Sequence, residues 1–290
     1  MSDPRPIVSF GADWSATFRR GDAAELHRWL QFALDCANGA DELALGYFRA
    51  DLDIERKADG SLVTQADKAI EAFVRDRIAS AFPTHGVTGE EFGRQEGSVD
   101  FRWYLDPIDG THNFLRGIPL FGFLLALERD GELQVGVMSA PALHQRWYAA
   151  RGQGAWAIET WGQAPPRRLH VSAIDTLGES QIVFRSIGDM RASRVARGFD
   201  RLLSETWRER GFGDYWGYAL VADASAEAMM EQDLGPWDLA APLVVVEEAG
   251  GAVTDFDGRR SLERGEALAS NGVLHADLLD RLRRGITRRP

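Results

Sequence analysis

The sequence predicts an α/β or α+β sandwich built in two halves. A long helical periodicity opens the chain, strands crowd its middle, and helices and strands alternate after about residue 180. With 290 residues, 44 % of them hydrophobic, the chain can bury one large core or two smaller ones. The expected division is an N-terminal extension over residues 1–21, an α+β half over 22–180 and an α/β half over 181–290.

Residues 1–21 lack periodicity and are expected to be partly disordered. From Asp22, apolar residues recur at threes and fours (Leu26, Trp29, Leu30, Ala33, Leu34, Ala37), the pattern of an amphipathic helix reaching Phe48. Asp22 with Glu25 resembles a capping arrangement at its start. "KADGSLVTQAD" reads as a turn and a hairpin edge. A second helix is expected over about Asp67 to Phe82, with Ile70, Val74 and Ile78 on one face and Pro83 as its stop. "FGFLLALERDGELQVGVMSAP" gives two strands joined at Arg129-Asp130-Gly131, and "RWYAARGQGAWAI" gives two more. "WGQAPPRR" reads as a loop. "QIVF" is a strand before a helix near Ala192 to Glu205. "DYWGYALVADAS" is helical, "EAMME" fits a strand, and "WDLAAPLVVVEEAGG" is a helix ended by Gly250-Gly251. "AVTDF" and "ALAS" close as strands before a last helix over about Leu274 to Arg284.

Composition excludes some classes of function. Lys and Arg number 33 against 44 Asp and Glu, a formal net charge of -11, which repels nucleic acid and anionic membranes. A small phosphorylated metabolite remains compatible if cations neutralise its site. The single cysteine, Cys36, allows no intramolecular disulfide and fits a small core residue. No apolar run reaches the length of a membrane span, and the N-terminus lacks the regions of a signal peptide. A cytoplasmic protein is expected.

Carboxylates gather where elements end. Glu90 and Glu91 stand in "GVTGEEFG", Asp106 and Asp109 in "WYLDPIDGTHNF", Asp238 in "GPWDLAA" and Asp67 in "VTQADKA". Singly, each also fits a local structural role. Asp67 with Thr64 fits a capping box, Asp238 complements a helix dipole, Asp106 and Asp109 fit a turn, and Glu90-Glu91 fit a solvated pair. Together, Asp106 and Asp109 cannot converge at the end of an apolar strand without a counter-charge. Hard oxygen ligands with no nearby His or Cys favour Mg²⁺ over Zn²⁺. The Ile108 carbonyl lies between the two aspartates, and the Gly110 and Thr111 amides open a helix-like segment suited to an anion. Metal-type carboxylates beside an anion cradle point to phosphate chemistry.

"DPIDGTHNF" resembles the D-P-[IL]-D-G-T-x-N-F signature of the inositol monophosphatase family. "DGSLVTQAD", "GEEFG" and "WDLAAPLVVVEEAGG" resemble its other motifs, in the same order, over roughly residues 22 to 286. The resemblance implies a layered α-β-α-β-α sandwich, with a large antiparallel sheet in the N-terminal half and a smaller sheet in the C-terminal half. It implies two to three Mg²⁺ ions. Glu90, Asp106 and the Ile108 carbonyl would hold one, and Asp106, Asp109 and Asp238 a second. A weaker third would use Glu90 and waters. Thr111 and Asp67 would orient and deprotonate the attacking water, while Gly110 and Thr111 would hold the phosphate. Glu91 and His112 are left without a site role. A homodimer is expected from the family's habit.

The stretch "RGFGDYWGYALVADAS" is more similar to the histidinol-phosphate phosphatase branch than to the inositol-specific members. That resemblance makes Asp214 the distinguishing residue and brings Glu231 to the same end of the substrate. A substrate carrying an ammonium and an imidazole suits facing carboxylates, which form charge-assisted hydrogen bonds. Asp214 equally fits a helix N-cap after Gly213. Tyr215, Trp216 and Tyr218 fit core packing, at least two of them. Arg185 fits either a substrate contact across a subunit boundary or an ion pair with a surface acid. An inositol-phosphate phosphatase, or another small phosphate-ester phosphatase of the family, is the competing expectation.

Overall fold

The computed structural model describes residues 23–50, 54–56, 62–159 and 164–284. The expected disorder of residues 1–21 and the capping role of Asp22 lie outside them. Helix α1 (Ala23–Tyr47) leads through a short antiparallel ribbon, β1 (Ile54–Arg56) and β2 (Leu62–Thr64), into α2 (Gln65–Ala81). The large sheet follows as β3 (Gly86–Gly89), β4 (Gly93–Gln95), β5 (Phe101–Asp109), β6 (Gly122–Arg129), β7 (Glu132–Ala140), β8 (Gln145–Ala150), β9 (Gly154–Glu159) and β10 (Arg167–Arg168). The short helix α3 (Thr111–Leu115) follows β5. Its eight strands lie in the order β10-β9-β8-β7-β6-β5-β3-β4.

The C-terminal part contributes β11 (Gln181–Phe184), α4 (Ile187–Ala192), α5 (Ala196–Glu205), β12 (Arg208–Arg210), α6 (Asp214–Ala222) and β13 (Ala228–Gln232). It continues with α7 (Pro236–Glu248), β14 (Ala252–Thr254), β15 (Glu266–Ser270) and α8 (His275–Arg283). Its five strands lie in the order β12-β11-β13-β15-β14.

Strand periodicity builds the layers. In β5 and β6, Trp103, Leu105, Leu125 and Leu127 join α1 and α2 in one core, while Tyr104, Leu124 and Ala126 turn to a second core beneath α6 and α7. In the small sheet, Val183 and Met229 face that same middle core. Ile182, Phe184 and Met230 face α5 and α8 on the outside. Helix α7 thus lies between two sheets. Its residues Leu239 to Val246 are buried on every side, which accounts for a helix that is apolar all round. The stack reads α1/α2, large sheet, α6/α7, small sheet, α4/α5/α8, an α+β sandwich.

Some expectations need correction. The large sheet is not wholly antiparallel, because β3 runs parallel to β5. The helix expected near Ala192 to Glu205 begins at Ala196, and a separate short helix, Ile187–Ala192, precedes it. Ser193 adopts an extended conformation, and its hydroxyl accepts from the Val195 amide at 3.2 Å, taking a helical donor away from the backbone. The "WGQAPPRR" loop ends in β10, whose two residues pair with Trp156 and Ala157. Strands β4 and β12 carry no apolar alternation and were not anticipated. Among the described residues no helix is long and apolar enough to cross a membrane. Cys36 is buried in the α1 core, and burial pushes its thiol up to about 12.

Candidate active site

Asp106 and Asp109 are three residues apart, so a regular strand would send them to opposite faces. The pairing of β5 with β6 shifts register between them, and Pro107, with no amide hydrogen to donate, sits inside that irregularity. The bulge reverses the alternation. Ile108 turns its side chain into the α1/α2 core, and both aspartates line one cavity. Asp106 Oδ1 accepts from the Ile108 amide at 2.9 Å, and Asp109 Oδ2 accepts from the Tyr215 amide.

Asp238 comes from the first turn of α7. Its Oδ2 accepts from the Gly235 amide at 2.7 Å, capping the helix with one oxygen. Carboxylate oxygens of Asp106, Asp109 and Asp238 lie within 4.8 Å of one another. Glu90 is not part of that trio but lines the same cavity, and its amide is tied to β5 through the Leu105 carbonyl at 3.2 Å.

The cavity has a volume of about 810 Å³ and takes its lining from the end of β5, α3, the start of α6 and the β13–α7 turn. Burial drives the Asp106 carboxyl well above its ordinary range, and the charges of Glu90, Asp109 and Asp238 push it further. Asp109 is raised by burial and then by Asp214, Asp238 and Glu231. Asp238 is pushed up to about 7, by burial first and by Glu90 second. The charges acting most on Asp106 and Asp109 are all carboxylates. Such a crowd is stable only when protonated or when a cation enters, and its all-oxygen donors fit a hard divalent ion.

Asp67 behaves differently from the rest. Its Oδ2 accepts from the Thr64 amide at 2.8 Å and the Thr64 hydroxyl at 2.6 Å, completing the expected capping box. Its Oδ1 is buried without a hydrogen-bond partner. Burial, ahead of the Glu90 charge, pushes its carboxyl up to about 6. Asp67 does not itself line the cavity. Thr111 does, and its hydroxyl donates to the Ile108 carbonyl at 3.0 Å. Gly110, which precedes α3, has φ 83°, a left-handed conformation, and a Cβ there would stand 3.0 Å from the Leu120 carbonyl oxygen.

The second group of predicted residues meets in the same lining, and its Asp214 and Glu231 act on Asp109. Asp214 does not cap α6: no side-chain capping bond exists there, and Asp214 takes φ 59° as the first helical residue. Its Oδ2 instead accepts from Asn113 Nδ2 at 3.4 Å. Glu231 is 3 % exposed, with Oε1 3.5 Å from Arg185 Nη1 and Oε2 unpartnered. Arg185 also pairs with Asp189 at 3.2 Å. Burial raises both Asp214 and Glu231, and the Arg185 guanidinium opposes the shift in each. Tyr215 and Tyr218 are buried in the middle core and Trp216 is half-buried against Phe212, all three also lining the cavity. Sequence reasoning missed Asn113, Phe212 and Trp237. Asn113 had a signal in the "GTHNF" motif, whereas the two aromatics have none.

The inositol monophosphatase family profile matches residues 25–287. The chain belongs to that family. A histidinol-phosphatase from Mycobacterium tuberculosis is 43 % identical over 260 residues, covering 89 % of this chain and 99 % of its own length. An inositol-1-monophosphatase from Mesorhizobium japonicum is 33 % identical over 249 residues, covering 82 % and 89 %. Among solved structures, the extragenic suppressor protein suhB from Bartonella henselae superposes with a TM-score of 0.80 at 29 % identity, covering 88 % of this chain and 98 % of its own.

Proposed function

We propose that this chain is a Mg²⁺-dependent phosphatase that hydrolyses L-histidinol phosphate to L-histidinol and phosphate. Membership of the family makes it a phosphoric monoester hydrolase. The observation that carries the finer reading is the pairing of two acidic groups in one cavity. Asp106, Asp109 and Asp238 would serve the phosphate and its metal, and Asp214 with Glu231, which line the same cavity and act on Asp109, would serve the rest of the substrate. The higher identity to a histidinol-phosphatase than to an inositol-1-monophosphatase supports it.

Asp106, Asp109, Asp238, Glu90 and the Ile108 carbonyl would hold two to three Mg²⁺ ions. When bound, the metal supplies Lewis-acid neutralisation of the phosphoryl group and of the attacking and leaving oxygens. The amides of Gly110 and Thr111 hold the phosphate at the start of α3. Because the Thr111 hydroxyl donates its proton to the Ile108 carbonyl, its lone pairs are left to accept from the attacking water. Asp67 Oδ1, lacking any other partner, takes the water's proton, and a pKa near 6 suits a base working around neutrality. Asp214 and Glu231 meet the substrate's ammonium and imidazole, and Arg185 keeps them from carrying unbalanced charge when the cavity is vacant. The reading includes a cytoplasmic homodimer.

Phosphate release from L-histidinol phosphate, inositol 1-phosphate and adenosine 3',5'-bisphosphate, compared by kcat/KM with Mg²⁺ present, tests the proposal. Histidinol phosphate should be preferred by at least about 10-fold, the discrimination one charge-assisted bond supplies. Preference for inositol 1-phosphate would install the competing family activity in its place.

A further inference from the structure

We infer that Glu71 is a positioning residue that fixes the Glu90 loop in the geometry its metal site needs. The inference rests on the metal-binding role proposed above for Glu90. Glu71 lies on α2, four residues after Asp67, and its side chain is fully buried. Few acids are buried without work to do. Its two oxygens accept from the backbone of the loop that carries Glu90: Oε2 from the Glu91 amide at 2.8 Å, and Oε1 from the Phe92 amide at 3.1 Å. Arg75, one turn further along α2, donates to Glu71 Oε1 at 2.8 Å and to the Gly93 carbonyl at the far side of the loop.

The loop is therefore clasped at three successive residues, Glu91, Phe92 and Gly93, by one ion pair on one helix. On its other side the Glu90 amide bonds to the Leu105 carbonyl of β5, the residue before Asp106. The approach is close. A Cβ on Gly89 would collide with the Glu71 carboxylate, so only glycine lets the backbone lie against it. Glu90 is thus held between α2, which also carries Asp67, and β5, which carries Asp106. The three-residue turn between the paired strands β3 and β4 thus gains a side-chain clasp beyond its strand pairing, the added rigidity a multidentate site requires. Glu71 itself is not among the cavity-lining residues, so its effect on the site runs through the loop backbone.

The test separates positioning from general stability. Mg²⁺ binding is titrated calorimetrically in wild type, Glu71→Gln and Arg75→Met. Melting temperature and amide exchange of residues 89–93 are measured alongside. Glu71→Gln keeps the volume but replaces one acceptor oxygen by a donor group facing backbone amides. We expect it to weaken Mg²⁺ binding by about 10- to 100-fold, the range for outer-shell partners of metal ligands. Exchange should speed up over 89–93, and kcat at saturating Mg²⁺ should stay near the wild-type value. Arg75→Met removes the outer clasp alone and should weaken binding by a smaller factor, which keeps the test decisive if Glu71→Gln does not fold. A lower melting temperature with unchanged Mg²⁺ affinity in both variants would reduce the pair to a structural role and overturn the inference. Failure of the wild type to bind Mg²⁺ would instead refute the metal-site reading on which it rests.

Discussion

The two acidic groups in the cavity contain the same kind of residue at similar burial and differ in what can neutralise them. Around Asp106 and Asp109 the strongest charges are other carboxylates, and the neutralising charge has to be a proton or an incoming cation; at Asp238 the Glu90 charge outweighs an opposing Arg185. Around Asp214 and Glu231, the Arg185 guanidinium already supplies part of it. The contrast shows why counting buried acids does not locate a metal site. On the proposed reading, the balance of the neighbours separates acids that take an ion from acids that exchange an internal partner for a substrate's cation. A third case, Asp41, has an internal cation on one oxygen, Oδ2, while its Oδ1 is buried without a hydrogen-bond partner. It pairs with Arg146 at 2.6 Å and accepts from the Ser139 hydroxyl at 2.7 Å, tying α1 to β7 and β8.

If the first group depends on an external cation, chelation has the largest effect of all. EDTA should abolish phosphate release and added Mg²⁺ should restore it; Li⁺ should inhibit. Full turnover after exhaustive chelation would erase the distinction between the two groups. Next come the groups assigned to the water. Asp67→Asn and Thr111→Ala should each lose kcat by about 100- to 10,000-fold with little change in KM, the loss expected for a general base and its orienting partner. Near-normal kcat in a folded Asp67→Asn protein would confine Asp67 to capping α2.

The second group should respond more mildly and only to one substrate. Asp214→Asn removes charge but keeps size. Since a charge-assisted hydrogen bond contributes about 1.5–3 kcal/mol, kcat/KM for histidinol phosphate should fall by about 10- to 150-fold. That for a neutral phosphate ester should barely move. An unchanged ratio between the two substrates would leave the second group without a part in specificity.

A stability measurement sharpens the comparison without any substrate. Carboxyls in the unfolded chain titrate near pH 4, whereas folded Asp67 and Asp238 are raised to about 6 and about 7. Between those values the folded state holds protons that the unfolded state has released. Metal-free stability therefore falls as pH rises from about 4, and the share of the loss owed to these two groups is complete above about 7. On the proposed reading Mg²⁺ takes the place of the Asp238 proton, so it should make the curve less steep. Melting temperatures from about pH 5 to pH 8, with EDTA and with Mg²⁺, check this; a flat metal-free curve would refute it. The smallest effect belongs to Glu91→Gln. The Glu71 clasp uses the backbone amide of Glu91, which the substitution keeps, so kcat should change by less than about twofold.

Most of the secondary structure was legible because burial imposes periods of 3.6 and 2 on the sequence. Helices α1, α2, α7 and α8 and strands β6 to β9 follow their apolar patterns closely. What lacked a pattern was missed. Strands β4, β10 and β12 are two or three residues each without an apolar pattern, and each pairs with a single neighbour at the edge of its sheet. The Ser193 break depends on one side-chain bond that propensity does not anticipate.

For the site, the sequence alone determined which carboxylates stand at element ends, since motifs and capping positions are local. It could not decide which face Asp106 and Asp109 would take, because their odd spacing is resolved only by the bulge against β6. Nor could it show that Asp214 leaves α6 uncapped and takes a left-handed backbone, with its carboxylate against Asn113 some hundred residues earlier. Glu71 was invisible for the same reason: on α2 it is one acid in an amphipathic helix. Only the fold sets the Glu90 loop against it, and bonds between distant segments leave no periodic trace in the chain.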